Sequence, residues 1–162
     1  MPTPHFPVGA SAVVALNSQW RTFVHYSDNR IHQLCLFDPN TLVYTDSLVG
    51  GPTPMPNSPV AAITWGSTVD HASLRVYYFT EDCKVQEMYW VGGVDAWFKV
   101  GNILGDVVDG SFLYAQVHAS GNDLQEIRVG YLSPEHCDTI TESVFTYPTG
   151  WGARTYAIDM MD

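Results

Sequence analysis

The stretch from Leu74 to Trp97, LRVYYFTEDCKVQEMYWVGGVDAW, decides the fold. Leu74, Val76 and Tyr78 alternate with Arg75 and Tyr77, the period-2 pattern of a half-buried strand with one face toward a core. Glu81-Asp82-Cys83-Lys84 supplies a turn. Val85 to Trp90 then reads as the returning strand, with Val85, Glu87 and Tyr89 on one face. Gly92-Gly93 ends it, because tandem glycine carries a high entropic cost in extended backbone. The hairpin brings Arg75 and Glu87 onto neighbouring strands. Taken alone, the two read as an exposed cross-strand ion pair that contributes about 0.2–1 kcal/mol.

Working outward, the hairpin recurs. A first unit holds the apolar strand Ser11–Leu16, then Thr22-Phe23-Val24-His25-Tyr26, a turn at Ser27–Arg30, Ile31-His32-Gln33-Leu34 and a tail through Tyr44. The second holds Val60–Trp65, Leu74–Tyr78, Val85–Met88 and a tail to Trp97. The third holds Phe112–Val117, Ile127–Tyr131, Thr139–Glu142 and a tail to Trp151. Taken as equivalents, Phe23, Arg75 and Arg128 stand 52 and 53 residues apart. No segment sustains the i, i+3, i+4, i+7 apolar spacing of a helix. The chain is therefore expected to be all-β, a single domain of three repeats spanning approximately residues 8–54, 55–108 and 109–162. Each repeat has three strong strands and room for a fourth before a Pro/Gly-rich junction such as Gly50-Gly51-Pro52-Thr53-Pro54, which is the composition of a propeller blade. Known propellers close with four to eight blades, so three leave two open faces that a two-fold partner would cover. The expected assembly is a homodimer that completes a six-bladed ring. A compact three-repeat barrel or prism is the competing architecture.

Composition bounds the chemistry. The 162 residues carry seven Lys and Arg against seventeen Asp and Glu, a net charge of −10, which argues against nucleic acid and anionic membrane surfaces as partners. No apolar run reaches the roughly 20 residues that span a bilayer. The N-terminus has neither the basic region nor the continuous apolar core of a secretory signal and reads as a mature start. Cys35, Cys83 and Cys137 form no Cys-x-x-Cys pair and suit free thiols in a reducing compartment, so a cytoplasmic location is expected. His5, His25, His32, His71, His118 and His136 are scattered without metal-ligand spacing, and no cofactor or metal is expected. Glu87 with Glu142 or Asp82 makes a poor glycosidase pair, because equivalent positions of two repeats face separate inter-blade pockets. Trp20, Trp65 and Tyr89 read as inter-blade core.

With the repeats aligned, the pieces SPVAAITWGS, LRVYY, VQEMYW and AWFKVG of unit two, and IRVGY, TITES and GWGA of unit three, resemble the fungal fucose-binding propeller lectins of the Aleuria type. The resemblance implies sugar sites in which one blade supplies an Arg and a Glu and the next supplies aromatic rings. Carried over, one site uses Arg75 and Glu87 with Phe145 and Trp151. A second uses Arg128 and Glu142, with its wall from Leu36 and Tyr44 of a partner chain. A third joins unit one to Trp90 and Trp97 but lacks the polar pair, with Phe23 where Arg belongs and Gln33 where Glu belongs. The chemistry suits fucose: a carboxylate accepts from sugar hydroxyls, a guanidinium donates to sugar oxygens and a ring covers the C–H face. The function implied is a non-catalytic lectin for fucosylated glycans. The alternative is a propeller repurposed as an enzyme or small-molecule binder, such as a cyclase or isomerase, with one deep aromatic-lined pocket.

Overall fold

The computed structural model describes residue 5, residues 7–16 and residues 19–155; the first residues of the chain and the end of the third repeat lie outside them. The described strands are β1 (Pro7–Leu16), β2 (Gln19–Tyr26), β3 (Arg30–Leu36), β4 (Tyr44–Leu48), β5 (Val60–Trp65), β6 (Ser73–Phe79), β7 (Lys84–Val91), β8 (Lys99–Asp106), β9 (Tyr114–Ser120), β10 (Asp123–Ser133), β11 (His136–Thr146) and β12 (Gly150–Thr155). They form three four-stranded antiparallel sheets, β1-β2-β3-β4, β5-β6-β7-β8 and β9-β10-β11-β12, with no strand ladder running from one sheet to another among the described residues. The fourth strand that the sequence left room for is β4, β8 and β12. The first strands β1 and β5, and β5 and β9, pack against each other, as the innermost strands of adjacent blades do. The barrel or prism is therefore not the architecture.

The sheets are referred to as blades 1, 2 and 3. Blade junctions repeat a local device. Ser58 Oγ accepts a hydrogen bond from the Phe79 amide at 2.7 Å and donates to Pro59 O at 2.8 Å. Ser111 Oγ does the same with the Leu132 amide at 2.8 Å and Phe112 O at 2.7 Å. Both serines are buried. A buried amide at the end of β6 and of β10 is thereby satisfied where no strand reaches it.

Two cores separate the three blades. Between blades 1 and 2, Phe23, Ile31 and Val49 pack against Val60, Leu74, Val76, Tyr78 and Met88, with Trp90 and Phe98 alongside. Between blades 2 and 3, Ala61, Ile63, Tyr77 and Phe79 pack against Ile127, Val129 and Tyr131, with Trp65, Phe145 and Trp151 alongside. This corrects the reading of Leu74–Tyr78 as a half-buried strand. Leu74, Val76, Tyr77 and Tyr78 are all fully buried, because blade 2 is the middle layer and both its faces are covered. The period-2 pattern survived only because Arg75 and Glu87 interrupt the second apolar face.

Candidate functional site

The Arg75–Glu87 pair lies inside the protein, not on its surface as the hairpin alone suggests. In the β6–β7 register Tyr77 stands opposite Glu87 and Arg75 opposite Tyr89, so all four side chains share the face turned to blade 3. Arg75 Nε is 3.6 Å from Glu87 Oε2, and its guanidinium carbon is 5.0 Å and 5.1 Å from the ring centroids of Trp65 and Tyr89. Glu87 is 3% exposed. Its carboxylate also accepts from the Tyr77 hydroxyl at 3.0 Å and from Asn102 Nδ2 at 3.0 Å. Burial and the neighbouring Glu87 charge push the Tyr77 pKa well above the ordinary tyrosine value, so this hydroxyl stays a donor. Gly101 makes room for the acid: a Cβ there would come within 2.7 Å of Glu87 Oε1. A buried carboxylate with this many donors is held in one geometry, as a binding group must be.

The same register recurs in all three blades, and it moves one residue of the sequence alignment. In blade 1 Gln33 pairs with Phe23 and Cys35 with Arg21, so Arg21, not Phe23, occupies the place of Arg75, and Phe23 occupies that of Tyr77. In blade 3 Glu142 pairs with Gly130 and Val144 with Arg128. Every blade therefore keeps an arginine, and only the acid is lost, in blade 1. The hydroxyl donor to the acid is retained by a swap of strands. Gly130 has no side chain, and the Tyr114 ring of β9 lies where a Cβ would be, within 2.1 Å of that position. Tyr114 then donates to Glu142 Oε1 at 2.6 Å, as Tyr77 does to Glu87. Arg154 Nη2 lies 3.3 Å from Glu142 Oε2, and Arg128 Nε pairs with Glu126 Oε1. Blade 1 has phenylalanine at this position and an amide in place of the acid, so no phenolic donor is needed.

The aromatic walls follow the same rows. Opposite the Arg75 face, Phe145 pairs with Trp151 across β11 and β12, their rings 5.7 Å apart, both packed on the core that contains Ile63 and Tyr77. Between blades 1 and 2, Trp90 lies under Arg21 at 5.0 Å and Phe98 meets Phe23 edge-to-face at 5.8 Å. Trp97, expected in that wall, is 75% exposed and belongs to neither core; its neighbour Phe98 takes its place. The corresponding row of blade 1 is Trp20–Leu36–Tyr44, in register across β2, β3 and β4. Trp20, read from the sequence as inter-blade core, is 46% exposed on the outward side. The wall has thus kept its aromatic bulk by moving it from β3 to β2.

Trp65, Tyr77, Tyr89, Asn102, Arg21 and Tyr114 escaped the sequence reading as site residues. Aromatics on strands look like packing, and only cross-strand register reveals which of them stand over a guanidinium. Arg21 was within reach: its spacing of 54 from Arg75 matches that of Gln33 from Glu87. Two cavities of about 430 and 630 Å³ open beside blade 3, one at Tyr131 and His136 and one at Glu126 and Arg128; neither is lined by Arg75 or Glu87. Among the described residues no cluster of His, Cys, Asp and Glu could hold a metal.

No protein-family model and no curated protein sequence matches the chain. Solved structures do. The Aleuria aurantia lectin, described as a six-bladed β-propeller with a novel fucose recognition mode, is 22% identical over 91% of this chain and 48% of its own, with a TM-score of 0.72. AofleA from Arthrobotrys oligospora is 20% identical over 95% of this chain and 44% of its own, with a TM-score of 0.69. A fucose lectin from Kordia zhangzhouensis, solved with methyl-fucoside, is 17% identical over 92% of this chain and 100% of its own, with a TM-score of 0.70. The chain spans about half the length of the first two and matches the third along its whole length. The protein has the fold of the six-bladed β-propeller lectins and carries three blades of it.

Proposed function

We propose that the chain is a non-catalytic lectin that takes fucose-type sugars in its inter-blade pockets, and that two copies associate to complete six blades. The observation that carries this reading is the pairing of a partly buried Arg75 with the buried Glu87, its guanidinium over Trp65 and Tyr89, beside the Phe145–Trp151 wall of the next blade. A deoxy sugar needs an acceptor, a charged donor and an apolar ring surface within a few ångströms, and this pocket offers all three. Three of the similar structures were solved with methyl fucosides. In the proposed dimer, Arg128 and Glu142 on the outward face of blade 3 meet the exposed Trp20 and Tyr44 of blade 1 of the partner, with the buried Leu36 in register between them, which makes a further site.

Titration with α-methyl fucoside tests the reading. Arg75→Ala lowers the affinity of this pocket by about 1.5–3 kcal/mol, the range for hydrogen bonds to charged groups. An absence of binding to the wild type, or an unchanged affinity in both Arg75→Ala and Glu87→Gln, removes the pocket. Light scattering tests the assembly: a single species of monomer mass at micromolar concentration excludes the shared site.

A further inference from the structure

The junction between blades 1 and 2 has the arginine of the proposed sugar site without its acid, and that imbalance says what it would hold. Arg21 is only 9% exposed. Its Nη1 and Nη2 donate to the neutral amide oxygens of Gln33 and Gln19, each at 3.2 Å, and its Nε is buried without a hydrogen-bond partner. Its guanidinium carbon is 5.0 Å from the Trp90 ring, and the Cys35 thiol stands opposite it across the strands. No carboxylate forms an ion pair with Arg21 among the described residues, whereas Glu87 does so with Arg75 and is wrapped by Tyr77 and Asn102. A buried cation without a counter-charge is costly, and an anion that reaches it relieves the cost. Burial lowers the Arg21 pKa from its ordinary value, though it remains a cation at neutral pH, in keeping with that strain.

We infer that the Arg21–Gln33–Trp90 pocket binds a sugar acid, its carboxylate supplying to Arg21 the charge that Glu87 supplies to Arg75, while the pocket of Arg75 binds neutral sugar. The assignment rests on the reading of the Arg75 pocket as a sugar site. The difference in charge between the two sites is the exchange of one oxygen for one nitrogen, at Gln33 against Glu87, accompanied by Phe23 in place of Tyr77 and Cys35 in place of Tyr89. With glutamate present, an incoming carboxylate meets a like charge beside the guanidinium and is excluded. With glutamine, the carboxylate takes the two-pronged guanidinium contact and the indole still covers an apolar ring face.

The test is calorimetric titration of the full chain with methyl glucuronide, methyl glucoside and acetate in separate arms. Methyl glucuronide is expected to bind at least about tenfold more tightly than either of the others, with an affinity that falls as salt rises. Arg21→Ala is expected to abolish that binding, and Gln33→Glu to abolish it with the fold retained, which covers the case in which Arg21→Ala fails to fold. Equal binding of glucoside, or equal binding of acetate, overturns the sugar-acid assignment, as does glucuronide binding unchanged in Gln33→Glu. Arg75→Ala separates the two readings. Glucuronide binding that survives this variant, in a protein that binds no methyl fucoside at all, refutes the fucose reading and leaves this one standing.

Discussion

The pockets on the two sides of blade 2 are built on the same strand register, yet one holds an arginine with a buried acid and the other an arginine with an amide. Around Glu87 the protein places a phenol hydroxyl, a side-chain amide, a guanidinium and a glycine that opens space for the carboxylate. Around Gln33 it places a phenylalanine and leaves Arg21 Nε unsatisfied. A single change of acid to amide therefore removes the need for the phenolic donor, and Phe23 in place of Tyr77 is its structural companion. Blade 3 completes the comparison, since it has the acid and, with glycine at position 130, takes the phenol from another strand.

The comparison can be broken most sharply at the acid itself. Glu87→Ala leaves the partly buried Arg75 without a counter-charge and is expected to cost about 3 kcal/mol in urea denaturation, whereas Gln33→Ala removes only amide hydrogen bonds and costs about 1 kcal/mol. Equal losses would mean that the two pockets do not differ as charged and neutral networks. Next is the strand swap in blade 3. Gly130→Ala drives a Cβ into the Tyr114 ring and is expected to cost about 1–3 kcal/mol and to break the bond to Glu142, while Gly152→Ala, which meets nothing within 4 Å, stays within about 0.5 kcal/mol. Tyr77→Phe makes blade 2 resemble blade 1 and is expected to cost about 1 kcal/mol; the same change combined with Glu87→Gln should cost less than the two losses added, because the hydroxyl and the acid serve each other.

The smallest expected effect lies on the outward face of blade 1. The His32 ring bonds Asp28 Oδ2 at 3.0 Å and Asp46 Oδ1 at 2.8 Å and packs tilted against Tyr26 at 4.4 Å, so both of its nitrogens face acceptors. Burial pulls the His32 pKa down, but the hydrogen bonds and charges of the two aspartates outweigh it and raise the value. Burial pushes Asp28 up, and the bond to His32, the charges of His32 and His5 and the Arg30 amide bring it below its ordinary value. The raised histidine contributes stability that is complete below the unfolded value near 6.5 and fades as pH rises through the folded one; the lowered aspartate contributes stability that is lost as pH falls through its folded value. Melting temperature should therefore fall on the alkaline side of His32 in the wild type and lose that limb in His32→Gln. A limb of the same height in both would exclude the triad as its source.

Much of the fold was legible because strand alternation and turn residues are local properties. Leu74–Tyr78, the Glu81–Lys84 turn and the 52–55-residue recurrence located the three sheets, and the fourth strands fell where the sequence left space for them. The pairing of Arg75 with Glu87 was legible for the same reason, through a short hairpin. What escaped was everything that depends on exact cross-strand register or on which face is covered. Aligning the apolar runs put Phe23 over Arg75, an error of two residues that conserves the face and so leaves no trace in the alternation pattern. Trp65 and Tyr89 passed for packing, since an aromatic that stands over a guanidinium has the same sequence signature as one in a core.

The sequence by itself determined the class, the repeat, the number of strands and the residue types available for binding, because these follow from periodicity, composition and turn chemistry. Only the tertiary structure decided that blade 2 is buried on both faces, that Arg21 stands without an acid, and that Trp20 and Tyr114 replace aromatics missing from other strands. The physical reason is that a side chain's partners are set by the neighbouring strand and the neighbouring blade. Those neighbours lie from about 12 to more than 50 residues away along the chain, as Arg21 does from Gln33 and from Trp90, where no local pattern records them.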